Sequence, residues 1–447
     1  MGDCGKKVQN NVIGGGIDMK KAGLFVIMIA AAAQNARADM YAELRDVYES
    51  NPVILQGRAA VDAADSELSL ARTGYKPYLG VSANAGAART KIGSTTFDYN
   101  PTQVGVEFQQ NIFQGFGTVA QIKAAKGMLA SQQALLYATQ QDVFLQAINA
   151  YINVLNTDEV LKLNKNNHRV LQEYYDLCVD RQRVGTLTKT DVAQAAARLE
   201  MAKYRVTDAQ AAYDNSIETF RRIYGSVPDS FQDISLKRVE HLFPSSVDAA
   251  QEYALAHHPA LNALAAQEAA AKENITVARK SMLPAIDVRA AAMQVNDLPY
   301  IDKVRDSRVG VYLKVPLFDR GTAFANTDKV RFTVDGIVQQ TINARRTVVE
   351  NLNQAWNMYD AQTAAITAAR AGAHAAQMAL DGTRAEQSRG RRTVLDVLNA
   401  EQELLNAKVS LATAIHAQTS AYFAILAATG QLSAQNLGIA SDEDDLK

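Results

Sequence analysis

Two stretches of the chain repeat one pattern of small, hydroxyl and carboxylate residues. Gly185-Thr186-Leu187-Thr188-Lys189-Thr190-Asp191-Val192 and Gly390-Arg391-Arg392-Thr393-Val394-Leu395-Asp396-Val397 each run Gly, five residues, Asp-Val, about 205 residues apart. That spacing suits a chain reversal. Gly takes the left-handed conformation that ends one helix, and Thr and Asp satisfy the free N–H groups that open the next. The chemistry on offer there is electrostatic, not covalent. Other reactive residues are scattered. His257-His258 has no Asp, Glu or Cys at ligand spacing, so it reads as part of a loop opening a helix and no metal is expected. Gly115-Phe116-Gly117 lacks the third Gly of a nucleotide fingerprint and reads as a strand-to-helix bend. No Ser/His/Asp or Cys/His arrangement stands out, so no catalytic residue and no cofactor is assigned.

The elements that position the two stretches follow from composition and period. The chain has 447 residues, 48% of them hydrophobic, with a formal net charge of −1. That excludes a wholly disordered chain and offers no basic surplus for nucleic acid. Only 9 Pro and 25 Gly leave room for long helices. Met19, Lys20 and Lys21, an apolar run from Ala22 to Ala33, and Ala36-Arg37-Ala38 form a secretory signal, with Met19 as the natural start and cleavage after Ala38. Cleavage there leaves a net charge of −4 and no Cys at the new N-terminus. Cys178 is then the single Cys, expected as a small apolar residue in a helix seam. No later stretch of 18 or more apolar residues suggests a spanning helix.

Beyond the signal the chain repeats itself. Asn51-Pro52, Ala71-Arg72 and Pro77 correspond to His258-Pro259, Ala278-Arg279 and Pro284. Val104-Gly105-Val106 and Phe113 correspond to Val309-Gly310-Val311 and Phe318, and Ala150-Tyr151 to Ala355-Trp356. A duplication is expected: residues 39–225 and 248–432 as the two repeats, 226–247 as a linker, and 433–447 as an acidic tail. Each repeat reads as a helix (Met40 to Arg72 in the first), two strands, a long helix, a tip and a return helix. Leu79, Val81, Ala83 and Ala85 alternate with polar or small residues, as do Val104, Val106 and Phe108 beyond a loop around Gly93–Pro101. Ile286 and Val288, then Val309, Val311, Leu313, Val315 and Leu317, do the same. Alternation alone fits a soluble hairpin on a helix. With an export signal and tyrosines at the strand ends (Tyr75, Tyr78, Tyr99, Tyr300), it fits strands that cross a bilayer. Four such strands cannot close a barrel, so copies must associate: two would supply eight strands and three would supply twelve.

From Gly117 to Arg183 there is no Pro and no interior Gly except Gly127, which is roughly 100 Å of helix. Ile122, Leu129, Leu136, Val143 and Ala150 recur every seven residues. Leu171 and Cys178 resume the frame after Thr157 and Asn164 interrupt it. Leu199, Val206, Tyr213 and Phe220 continue the period on the return, as do Val397, Leu404 and Leu411 in the second half. Helices alone fit a solid bundle; helices continuous with a barrel fit a tube.

The signal, the two halves, the paired strands and the tip Val394-Leu395-Asp396-Val397-Leu398-Asn399-Ala400 together resemble the TolC family of outer-membrane channel proteins, over about 40–435. The resemblance implies a mainly α fold with membrane β: a homotrimer whose twelve-stranded barrel in the Gram-negative outer membrane continues into a periplasmic α-helical barrel. It implies no catalysis. The chain would be the exit duct for an inner-membrane ABC or RND pump reached through a periplasmic adaptor (membrane fusion) protein. The unacylated mature start resembles type I protein-secretion members more than multidrug efflux members with proton-driven pumps. A non-channel periplasmic coiled-coil scaffold is the structural alternative. Carried over residue by residue, Asp396 matches a ring at the entrance constriction, whose second aspartate falls at Asn399. Arg392 and Asp191 match a tip latch, whose tyrosine falls at Gln387. Gly185 and Gly390 match the tip glycines where adaptors dock.

Overall fold

The computed structural model describes residues 39–440. The expected signal over 1–38, with its Met19 start, and the acidic end Ser441–Lys447 lie outside the described residues. Element order runs twice through one scheme. First come α1 (Met40–Ser50), α2 (Pro52–Arg72), β1 (Tyr78–Ala85), β2 (Ala88–Ile92), β3 (Thr95–Tyr99), β4 (Thr102–Gln114), α3 (Gly117–Arg183) and α4 (Lys189–Tyr224). Then come α5 (Val247–His257), α6 (Pro259–Arg279), β5 (Ala285–Leu298), β6 (Ile301–Lys314), α7 (Thr322–Ser388) and α8 (Val394–Ala428).

The single helix expected over Met40–Arg72 is divided at Asn51-Pro52. Proline has no N–H to give and forces the preceding residue out of the helical region. Asn51 sits at φ −66°, ψ 125°, and its side chain accepts the Val53 N–H at 2.9 Å, so it ends α1 and caps α2. His258-Pro259 divides α5 from α6 in the same way, with His258 Nδ1 accepting the Ala260 N–H at 3.2 Å. His258 is a helix cap, and burial pushes its imidazole pKa down.

The four expected strands form one antiparallel sheet in the order β1-β4-β5-β6. Register puts Leu79, Phe108, Ala290 and Val309 in one row, and Val81, Val106, Ala292 and Ser307 in the next. On this face Leu79 is 70% exposed, Val81 75% and Val309 80%, so these apolar side chains lie open within the protomer. The loop expected around Gly93–Pro101 is instead largely a second hairpin, β2–β3, turning at Gly93 (φ 65°). Its Thr90, Ile92, Thr95, Thr96, Phe97 and Tyr99 are strand formers, a signal that the flanking Gly and Pro obscured. Phe97 meets Tyr300 edge to face with ring centroids 4.4 Å apart, which docks this hairpin on the β5–β6 turn.

Each long strand turns into a long helix through two left-handed residues: Gly115 (φ 56°) and Phe116 (φ 61°), then Arg320 (φ 61°) and Gly321 (φ 80°). A Cβ at Gly115 would lie 2.6 Å from Leu283 Cβ, so the bend demands glycine for space as well as for φ. α3 and α7 each run 67 residues, roughly 100 Å. The upper part of α3 lies against α6, where a Cβ at Gly127 would come within 3.1 Å of the Ala270 backbone nitrogen. Lower down, α3 pairs with α4 and α7 with α8. The polar residues that interrupt the heptads are satisfied in place. The Thr157 hydroxyl lies 2.8 Å from that of Ser216, and Asn164 Nδ2 donates to the Val160 carbonyl at 2.8 Å. α8 is long and apolar enough, by length and composition alone, to cross a membrane, although it holds no run of 18 apolar residues. Its Tyr422, Phe423, Ile425 and Leu426 are nevertheless buried among other helices.

The main core lies halfway down the helices. Leu44, Val47, Ile54, Phe144, Ile148, Tyr151, Phe220, Phe423 and Leu426 are all buried in it. The segment expected as a linker is built into this core. Val239 is fully buried, with Phe231, Ile234, Leu236 and Phe243 packed around it. Three tyrosine hydroxyls donate to its backbone: Tyr41 to Ser235 O at 3.1 Å, Tyr151 to Gln232 O at 2.9 Å and Tyr422 to Val239 O at 3.1 Å. Residues 433–440, drawn with the acidic tail, also pack here through Ala434, Leu437 and Ile439.

Candidate functional site at the helical tips

Both tips are built to one pattern. α3 ends when the Gly185 N–H reaches Gln182 O at 3.0 Å and the Thr186 N–H reaches Arg181 O at 2.9 Å, with Gly185 at φ 80°. α7 ends likewise, with Gly390 N–H to Gln387 O at 2.9 Å, Arg391 N–H to Glu386 O at 3.0 Å, and Gly390 at φ 76°. Glycine is required at both places by conformation, since no atom lies within 4 Å of an added Cβ at either. The two residues are exposed, bare turns of chain at the far end of the molecule.

Each return helix opens with a reciprocal cap. The Asp191 N–H donates to Thr188 Oγ1 at 3.2 Å while Thr188 N–H donates back to Asp191 Oδ2 at 2.9 Å. Asp396 and Thr393 repeat this at 3.2 and 2.8 Å. The carboxylates expected at the constriction and in the latch are therefore also the groups that start α4 and α8. The backbone N–H of Thr393 holds the Asp396 carboxyl below the ordinary value of 3.8, with help from the Thr393 hydroxyl and Arg392.

Within the protomer Arg392 and Asp191 are not brought together. Arg392 Nε donates to Glu386 Oε2 at 2.8 Å, a contact set up by the left-handed turn at Gly390 that folds the chain back over the end of α7. Asn399 faces the neighbouring hairpin, where its Oδ1 accepts from Arg198 Nη2 at 2.8 Å. Further along the same pair of helices, Arg205 donates to Gln402. These two contacts tie α4 to α8.

A half-buried ion pair escaped the sequence reading. Glu401 is 8% exposed and accepts from the Arg384 guanidinium across the α7–α8 hairpin. Burial pushes its carboxyl pKa up, and Arg384 draws it back only in part. The signal was available: Val394, Val397, Leu398, Glu401, Leu404 and Leu405 occupy one apolar stripe at helical spacing, and a Glu within it needs a partner. Around the pair, Val394 and Leu398 pack on Leu171, Cys178, Ala195 and Leu199, while Val397 packs on Leu380 and Leu404. Tyr174 lies between the two clusters, and its buried hydroxyl has no hydrogen-bond partner among the described residues. Cys178 is a buried free thiol in this seam. Among the described residues no group of three His, Cys, Asp or Glu is placed to hold a metal. The tips hold exposed charge beside bare turns of backbone.

The family model described as outer membrane efflux protein matches residues 44–226 and 251–431. The outer membrane efflux protein BepC of Brucella suis biovar 1 is 31% identical over 398 residues, covering 88% of this chain and 85% of its own length. The outer membrane protein TolC of Escherichia coli K12 is 27% identical over 382 residues, covering 81% of this chain and 76% of its own. The crystal structure of the Campylobacter jejuni CmeC outer membrane channel superposes with a TM-score of 0.79 at 16% identity, over 99% of this chain and all of that one.

Proposed function

The chain belongs to the outer membrane efflux protein family, and from that premise we propose that it is the outer-membrane exit duct of a tripartite export machine. Its fold is that of the TolC-like channels, it resides in the Gram-negative outer membrane and reaches through the periplasm, and it is a passive channel, not an enzyme. One observation carries the reading. A four-stranded sheet with an apolar outer face and two unpaired edges, β1 and β6, sits directly on helices of roughly 100 Å. Open edges are not tolerated in lipid, and three copies joined edge to edge supply the twelve strands of a closed barrel. The family matches at 44–226 and 251–431 support two repeats, 39–225 and 248–432, around the segment 226–247.

At the other end, Gly185 and Gly390 present backbone that an adaptor hairpin approaches closely. Asp396 contributes one carboxylate per protomer to a constriction, with Asn399 beside it. Arg392 and Asp191 form the latch between protomers, which requires Arg392 to leave Glu386. Partners are a periplasmic adaptor and an inner-membrane ABC or RND pump. Protein secretion is the first reading of the cargo and rests on the resemblance to type I members. Efflux of small molecules is the second, and the word efflux in the name of BepC favours it.

A photo-cross-linker placed at Ser388 in living cells tests the docking. Capture of an adaptor of an ATP-driven system supports secretion, and capture of an adaptor of a proton-driven pump supports efflux. Capture of no inner-membrane component, with the chain extracted by salt alone, overturns the duct and favours the scaffold.

A further inference from the structure

The outward face of the sheet changes character along its length. On β6 the outward residues are Leu313, Val311, Val309, Ser307, Arg305 and Lys303, read from the helix end towards the β5–β6 turn. Eight residues separate Leu313 from Arg305, roughly 27 Å of strand. At the usual barrel tilt that is about 21 Å of membrane depth, close to the height of an outer-membrane apolar band. Arg305 therefore stands at the outer-leaflet boundary. Neighbouring strands turn polar close to this level: Gln294 on β5 lies opposite Arg305, and Asn296 and Thr102 lie in the next row with Lys303, while Val104 is the β4 residue opposite Gln294.

These side chains form one hydrogen-bonded chain that steps across two successive register rows, Arg305–Gln294 and Lys303–Asn296–Thr102. Arg305 Nε donates to Gln294 Oε1 at 3.2 Å, Gln294 Nε2 to Asn296 Oδ1 at 3.0 Å, and Asn296 Nδ2 to Thr102 Oγ1 at 3.2 Å. Register places Lys303 opposite Asn296, at the end of the second row. Among the described residues neither Arg305 nor Lys303 makes an ion pair; the strand ion pairs Arg289–Asp287 and Arg308–Asp306 involve residues of the other face. Charge is segregated by parity. Glu107, Asp287 and Asp306 fall on the inward register and Asp302 shares the parity of Asp306; Asp297, out of register at a left-handed position of β5, is taken up by the Asn100 N–H at 2.6 Å. Directly below the two rows is a depression of about 340 Å³, lined on this face by Val106, Phe108, Ala290, Ala292, Ser307 and Val309. It opens where Ala290 and Ala292 leave room between larger neighbours.

We propose that this is a binding site for a phosphorylated glycolipid of the outer leaflet, with its phosphate on Arg305 and Lys303 and an acyl chain in the groove at Ala290 and Ala292. The site rests on the duct reading, because it needs this face to meet lipid. Two cations with hydrogen-bonding amides beside them, standing above an apolar slot, match a phosphate, a sugar and a chain. A soluble anion would use only the first, and a zwitterionic phospholipid would place its own cation against Arg305.

The test is native mass spectrometry of the full-length detergent-extracted trimer, with diphosphorylated lipid A, phosphatidylglycerol and inorganic phosphate as separate probes. Wild type is expected to retain lipid A about thirtyfold more tightly than the Lys303→Gln, Arg305→Gln double variant, the loss expected for two interfacial basic residues. Ala292→Leu fills the groove and is expected to lower lipid A retention severalfold with both cations intact. Trimer mass in the same spectra verifies assembly. Equal retention by wild type and the double variant overturns the site. Displacement of the lipid by millimolar phosphate marks a free-anion site and overturns the lipid. Equal retention of phosphatidylglycerol overturns the glycolipid. A bilayer-embedded quencher read at a fluorophore on Val309→Cys separates the two levels: a shielded probe contradicts the duct reading itself, whereas a quenched probe with no lipid A retention contradicts the site alone.

Discussion

At the scale of the residue, Asp396 has two duties that one substitution can separate. Its carboxylate closes the cap of α8 through Thr393, and it supplies the charge proposed for the constriction. Asp396→Asn keeps an acceptor for the cap and removes the charge. Reversal-potential measurements are expected to show cation preference reduced roughly threefold with trimer yield unchanged; unaltered selectivity would place Asp396 away from the constriction. Arg392 is likewise contested, by Glu386 within the protomer and by Asp191 in the proposed latch. If the latch holds the closed state, Arg392→Ala and Asp191→Asn both raise conductance while Glu386→Gln does not. The reverse pattern, with Glu386→Gln mimicking Arg392→Ala, would make Arg392 a brace of its own tip. The sequence made Asp191, Asp396 and both tip glycines legible, because a repeated Gly-x₅-Asp-Val is a local signal. Glu386 as the partner of Arg392 was not legible, since six residues across a reversal follow no helical spacing.

At the scale of the element, the α7–α8 hairpin is held by the Arg384–Glu401 pair inside an apolar seam. Burial raises the Glu401 pKa above its ordinary 4.5, so the folded chain binds that proton more tightly than the unfolded chain does. The stability this contributes is fully present below pH 4.5 and is lost as pH rises through the folded value. At neutral pH Glu401 is therefore a small liability that Arg384 offsets. Thermal unfolding at pH 7 should show Glu401→Gln neutral or stabilising, and Arg384→Ala destabilising by about 2 kcal/mol, less than for a fully buried partner because Arg384 is 44% exposed. Equal losses in both variants would mean that the ion pair is a net source of stability. Long helices and strands were legible, because periods of seven and two persist over many residues. The break at Pro52 was written in the sequence but overridden by the apolar pattern running through it, whereas His257-His258 was legible as the opening of a helix. The β2–β3 hairpin was hidden between turn residues.

At the scale of the whole molecule, each duplicated half gives strands to one sheet and a helical pair to one stalk. The segment between them and the chain's end are drawn into the core midway down. That belt was not legible, because Val239 and Leu437 show no period and their burial depends on contacts distant in sequence. Closure of the sheet was legible only as a requirement: two open edges in lipid demand partners, and the number of copies came from the family. The most direct test of the account is the ionic conductance of the full-length protein, extracted in detergent as a trimer and inserted into a planar bilayer. The account predicts discrete single-channel currents that prefer cations. Efficient recovery as a soluble protein without detergent, or bilayers that stay silent with the intact trimer, would contradict it.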